Sequence, residues 1–166
     1  MNAVELFAES LARLRQQYSR FRFFAERDLV WTVQLMLLDL IAEQQLSFQV
    51  FNDYPMLPGT RRSLSADLVI LDQDEAVQVA AEFKYEPDHR RRDILPGKLP
   101  VVDWGQHGVG RDMERIRQFV AVQKCPFACA ILVDEGGFFR RRPPYPGSEW
   151  RAWEHSVQVL YAEVRA

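Results

Sequence analysis

The sequence predicts an α/β fold, a central mixed β-sheet flanked by helices, with elements in the order α-α-β-β-β-α-β-β. Three observations predict it. Two stretches of helical apolar spacing precede residue 45, three strand-like runs follow between residues 47 and 85, and one more helix leads into two further strands. A length of 166 residues suits one core, so residues 1–166 are expected to form a single domain. With 48% apolar and 27% charged residues, the chain falls within the globular range, which excludes a fibrous or wholly disordered class.

The elements follow in order. Val4, Ala8, Leu11 and Leu14 recur at helical spacing and predict a first helix over Asn2 to Tyr18. A second is expected over Ala25 to Gln44, with Leu29 or Val30, Val33, Leu37, Leu40 and Ile41 as its apolar stripe. Stepping back one turn along that stripe reaches Glu26. Ser47 to Tyr54 alternates apolar and polar residues as a strand does, and Pro55 to Thr60 reads as a loop. Strands are expected over Leu64–Leu71 and Ala76–Tyr85, joined through Asp72–Glu75 as a hairpin. Glu86 to Gly110 shows no period, and a connection of that length in a compact domain is often functional. A third helix is expected over Arg111–Gln123, with Met113, Ile116 and Val120 inward. Strands over Phe127–Val133 and Ser156–Val164 complete the set, separated by a Gly- and Pro-rich loop from Gly136 to Gly147. No internal repeat or linker is visible.

Charge and composition narrow the function. The net charge is −2, from 21 basic and 23 acidic side chains, which weighs against a protein that coats nucleic acid nonspecifically. Of the basic residues, 18 are Arg and three are Lys (Lys84, Lys98 and Lys124), so a lysine at a chosen position carries information. Cys125 and Cys129 are too few for a disulfide framework and lack zinc spacing, which points to a reduced, cytoplasmic setting. The first residues lack the basic start of a secretory leader, and Leu29 to Ile41 is too short to cross a bilayer, so no membrane partner is expected.

The hairpin carries the chemistry. Leu64, Ala66, Leu68 and Ile70 share one face of its first strand, and Val77, Val79, Ala81, Phe83 and Tyr85 share one face of its second. Matching apolar with apolar requires an even loop such as Gln73-Asp74, because a one-residue slip inverts a strand. In that register Asp67 stands opposite Ala80, while Asp67, Glu82 and Lys84 share the other face, with Glu82 diagonal to Asp67 at about 7–8 Å. Two carboxylates so close repel each other unless a cation joins them. Mg²⁺, or Mn²⁺ in its place, suits such oxygen ligands, and a water it acidifies attacks phosphorus. Lys84 would orient that water or offset developing charge. Glu26 would be a third acid, with Asp28 as its substitute, or else a first-turn acid stabilised by the helix dipole.

Asp67 followed across a hairpin by Glu82-Phe83-Lys84 resembles the motif of the PD-(D/E)XK nuclease superfamily, and the order of elements from Ala25 to Val133 is similar to its restriction-endonuclease-like core. Ala66 stands where the superfamily name has proline. The resemblance implies that Asp67, Glu82 and the Phe83 carbonyl bind the metal, that Glu26 completes the set, and that Lys84 assists the attacking water. It also implies a nucleic-acid substrate, with DNA expected, and admits a homodimer.

Plainer readings exist for each residue. An acid-x-lysine alternation also suits a solvated strand face with ion pairs, which predicts exposed, diverging side chains. Arg90, Arg91 and Arg92, and Arg140, Arg141 and Arg142 later on, either grip phosphates or form solvated charge runs. Arg111 and Arg115 lie one turn apart and either face a phosphate or pair with surface acids such as Asp112 and Glu114. His107 in the irregular loop is either a proton carrier or, as is commoner for a lone loop histidine, incidental; Trp31 and Trp104 are expected to be packing residues, with base stacking as the alternative for Trp104. The functional expectation is a metal-dependent phosphodiester hydrolase; the alternative is a catalytically inactive nuclease-fold module that binds nucleic acid or protein.

Overall fold

The computed structural model describes residues 1–57, 64–122 and 125–166. The end of the loop expected over Pro55–Thr60, the last residue of the helix expected to reach Gln123, and Lys124 lie outside the described residues.

Helix α1 (Ala3–Gln17) starts at Asn2, whose side chain accepts from the Glu5 amide while the Glu5 carboxylate accepts from the Asn2 amide. Its buried stripe is Ala3, Leu6, Phe7, Ser10 and Leu14. Val4 and Leu11 lie at the flank of that stripe and Ala8 is exposed, a one-residue rotation from the expected face. The larger Leu6 and Phe7 decide which way the helix turns, since they bury more area. Helix α2 (Glu26–Gln44) ends at Gln45 in the left-handed region, φ 53°. At its start Asp28 Oδ2 accepts from the amides of Phe24 and Ala25, both at 2.9 Å, which makes Asp28, and not Glu26, the cap.

Six strands form one mixed sheet: β1 (Gln49–Pro55), β2 (Ser65–Leu71), β3 (Val77–Glu86), β4 (Phe127–Asp134), β5 (Ser148–Ala152) and β6 (Gln158–Arg165). Their spatial order is β1-β2-β3-β4-β6-β5, and only β3 and β4 run parallel. Helix α3 (Val109–Ala121) lies between β3 and β4 in the chain, as a parallel pair requires. Helices α1 and α2 cover Leu68, Ile70, Val79, Ala81, Phe83 and Tyr85 on one face. Met113, Ile116 and Phe119 of α3 cover Val69, Ala80, Ala130 and Leu132 on the other. With both faces covered, every residue of β4 is buried.

Two expectations need correction. The element order gains β5, an exposed edge strand (SEWRA) without clean alternation that pairs with β6. The β2–β3 register is Leu68↔Ala81, Val69↔Ala80 and Ile70↔Val79, so Ala80 faces Val69 and not Asp67. The turn is longer than two residues, with Glu75 at φ 58° and a register shift at Ile70/Leu71. The displacement from the expected register is two residues, so every side chain keeps its face. Among the described residues, no helix is long and apolar enough to cross a membrane.

Candidate active site

The β2–β3 ladder stops at Leu68↔Ala81, one pair short of Asp67 and Glu82. There the Asp67 side chain takes over the role of the ladder: its Oδ2 accepts from the Phe83 amide at 2.7 Å. That bond fixes the carboxylate against the next strand, where Glu82 and Lys84 share the α3 face.

Glu82 is fully buried. Arg115 Nη2 of α3 lies 3.3 Å from its Oε1, yet neither carboxylate oxygen has a hydrogen-bond partner among the described residues. Burial, then the charge of Asp67, pushes the Glu82 carboxyl well above the usual carboxylate range. Lys84 is cross-braced between helices: its Nζ lies 3.1 Å from Glu26 Oε2 and 3.2 Å from Asp112 Oδ2, and donates to the Phe83 carbonyl at 2.9 Å. Burial alone would lower the Lys84 ammonium, but the charges of Asp112, Glu26 and Asp67 outweigh it and lift it to about 12. Burial raises the carboxyls of Glu26 and Asp67, and raises Asp112 to about 6 against the pull of Lys84.

The structure therefore brings together Asp67, Glu82, Lys84 and Glu26, the four expected catalytic side chains. Arg115 joins them: instead of extending toward solvent, it donates to the Ser65 carbonyl and faces Glu82. Asp112 was expected only as a surface partner and is instead buried, 4% exposed, against Lys84. The signal for it was present, because stepping back one turn from Ile116 reaches Asp112 just as stepping back from Val30 reaches Glu26.

Other expected residues lie elsewhere. Arg91 is a strut, not a free phosphate contact: its Nη1 donates to the Phe23 carbonyl and the Tyr85 hydroxyl, and its Nη2 to Asp93. Arg90 is exposed and forks onto Asp88, while Arg92, Arg111, His107 and Arg140–Arg142 are exposed. Trp104 packs as expected, stacked on Phe139 and Trp150, with Arg142 over its ring. Trp31 does not pack as expected; it is 55% exposed on α2.

In chemical type, the donors are those a hard divalent cation takes. Asp67, Glu82, Glu26 and the Phe83 carbonyl offer oxygen only, and the unpartnered Glu82 oxygens are the kind of buried acceptor that Mg²⁺ or Mn²⁺ satisfies. Among the described residues no group of three or more His, Cys, Asp or Glu side chains is placed so that it could hold a metal ion as it stands. The ion pairs explain why: Lys84 draws Glu26 and Asp112 to itself, and Arg115 faces Glu82. Comparisons with protein-family models, with curated proteins and with solved structures give no match, so the geometry of these six side chains carries the functional reading.

Proposed function

We propose that this chain is a metal-dependent phosphodiester hydrolase acting on nucleic acid, with DNA as its substrate, built on a restriction-endonuclease-like core. The observation that carries the reading is the buried Glu82 carboxylate, without a hydrogen-bond partner among the described residues at either oxygen, beside Asp67 and the braced Lys84. The structural alternative, plain surface ion pairs, requires exposed and diverging side chains, and Glu82 at 0% exposure is the opposite.

Asp67, Glu82 and the Phe83 carbonyl would hold the cation, with Glu26 completing the set. When bound, Mg²⁺ or Mn²⁺ supplies an acidified water and neutralises charge on the phosphate. Asp67 is oriented for its part by the Phe83 amide. Lys84 keeps its proton at neutral pH, so it acts by donating hydrogen bonds and offsetting the charge that develops on the phosphate, not as a base. Asp112 and Glu26 hold its ammonium between α2 and α3. The two cysteines, free and buried, accord with a reducing cytoplasm.

The test is cleavage of plasmid and linear DNA by the purified protein with Mg²⁺ or Mn²⁺. Asp67→Asn and Lys84→Met are each expected to reduce the rate by about 10²-fold or more. Cleavage that persists in both variants refutes the assignment. A second reading, an inactive module of the same fold, is favoured by the ion pairs that already engage Lys84. It predicts DNA binding with no divalent ion taken up in calorimetry.

A further inference from the structure

The Arg115–Glu82 contact is incomplete on both sides. Glu82 is sealed from solvent, yet its closest cation stands 3.3 Å away without forming a hydrogen bond to it. The Arg115 Nε is also buried and without a hydrogen-bond partner among the described residues. A buried guanidinium and carboxylate normally meet as a fork, with two short parallel bonds. Here the guanidinium is held by a different group, the Ser65 carbonyl at the start of β2, and only leans toward the acid.

Glu86, on the same strand, shows what a settled buried acid looks like, with its oxygens bonded to the amides of Val101 and Val102. Among the described residues Glu82 has neither an amide nor a fork. The Ser65 anchor holds Arg115 beside the acid independently of Glu82, so the guanidinium keeps a partner when the carboxylate turns elsewhere. The contact is a weak one made by two groups that each retain bonding capacity.

We infer that Arg115 is an internal counter-ion that occupies the cation's side of Glu82 and is displaced from it when a divalent ion binds there. This rests on the metal-dependent reading above. Displacement leaves the guanidinium anchored at Ser65, beside the acids and free toward the site, where it is suited to contact a phosphate oxygen. Arg115 is thus a positioning residue in the ion-free protein and a phosphate-binding group once the ion is bound.

The experiment titrates Mn²⁺ into the full chain by calorimetry, without nucleic acid, for the native protein and for Arg115→Gln. Removing a competing charge is expected to tighten Mn²⁺ binding about 5- to 20-fold. Where Arg115→Gln fails to fold, the native protein carries the test: the ¹⁵N resonance of Arg115 Nε is expected to shift on Mg²⁺ addition, with the same midpoint as ion binding. Equal or weaker Mn²⁺ binding by a folded Arg115→Gln, or an Arg115 resonance unmoved while the ion binds, overturns the inference and leaves the hydrolase reading standing. A native protein that takes up no divalent ion overturns both.

Discussion

Glu82 and Glu86 stand on the same face of β3, four residues apart, and both are fully buried. Their surroundings are opposite. Glu86 accepts from the Val101 amide at 3.0 Å and the Val102 amide at 2.8 Å, and His89 Nε2 lies 2.5 Å from its other oxygen. Glu82 accepts nothing among the described residues. Nearby on β4, Asp134 follows the Glu86 pattern, accepting from the amides of Phe138 and Phe139. A carboxylate whose lone pairs are filled by backbone N–H groups pins a loop, and its burial is compensated. One whose lone pairs point at nothing keeps its desolvation cost in the native state and retains its capacity to bind. One end of the strand is thus settled by backbone hydrogen bonds, and the other keeps unused bonding capacity.

The sharpest way to break this contrast is to neutralise each acid in turn. Glu82→Gln is expected to lower DNA cleavage by about 10²-fold or more while leaving the melting temperature equal or higher at pH 8. Glu86→Gln is expected to do the reverse. Its carbonyl oxygen can still accept from the Val101 and Val102 amides, but the charge that strengthens those bonds and the contact with His89 is lost, at about 1–2 kcal/mol, with the rate per folded molecule changed only a few-fold. Cleavage kinetics beside thermal melts read both. A Glu82→Gln protein that melts well below the native one removes the distinction.

A smaller effect sharpens it through pH. Burial holds Asp112 at about 6 in the folded protein against 3.8 as its ordinary value. Between those values the folded state keeps a proton that the unfolded chain has released. Stability from this group is full below about pH 4 and is lost as pH rises through 6. Asp112→Asn is expected to abolish that part of the slope, a difference of about 2 kcal/mol between pH 4 and pH 7 in denaturant titrations. Parallel slopes for the two proteins would mean that Lys84 fully compensates Asp112.

Much of this was legible in the sequence, for reasons specific to each residue. The apolar alternation places Asp67, Glu82 and Lys84 on one face because side-chain direction depends only on the parity of the register, and the observed register differs from the expected one by an even number. The end of the ladder one pair before Asp67 is not legible, because it goes with a side chain accepting from the Phe83 amide. Glu26 lies one step back along an apolar stripe; Asp112 lies one step back from Ile116 in the same way, but its charged neighbours Arg111 and Glu114 mask that signal. Strand β5 escaped because an exposed edge strand buries too little to impose a period. In the run Arg90–Arg92, identical residue types in a row cannot reveal which one turns inward. Only Arg91 is within reach of Phe23, Tyr85 and Glu135.

That triplet supplies the smallest prediction. Arg90 and Arg92 are exposed, and among the described residues Arg90 pairs only with the local Asp88, so neither supports the core. Exposed pairs of this kind contribute little to stability, so Arg90→Ala and Arg92→Ala should each leave it within about 0.5 kcal/mol. If either side chain contacts a phosphate, its removal weakens DNA binding by a few-fold at low salt. The slope of log affinity against log salt then falls by about one unit, uniformly across DNA sequences. Anisotropy titrations at several salt concentrations, made in Ca²⁺ to hold cleavage back, measure both quantities. An unchanged salt slope in the double variant assigns these arginines to solvation alone and leaves phosphate contact to residues such as Arg111 and Arg115.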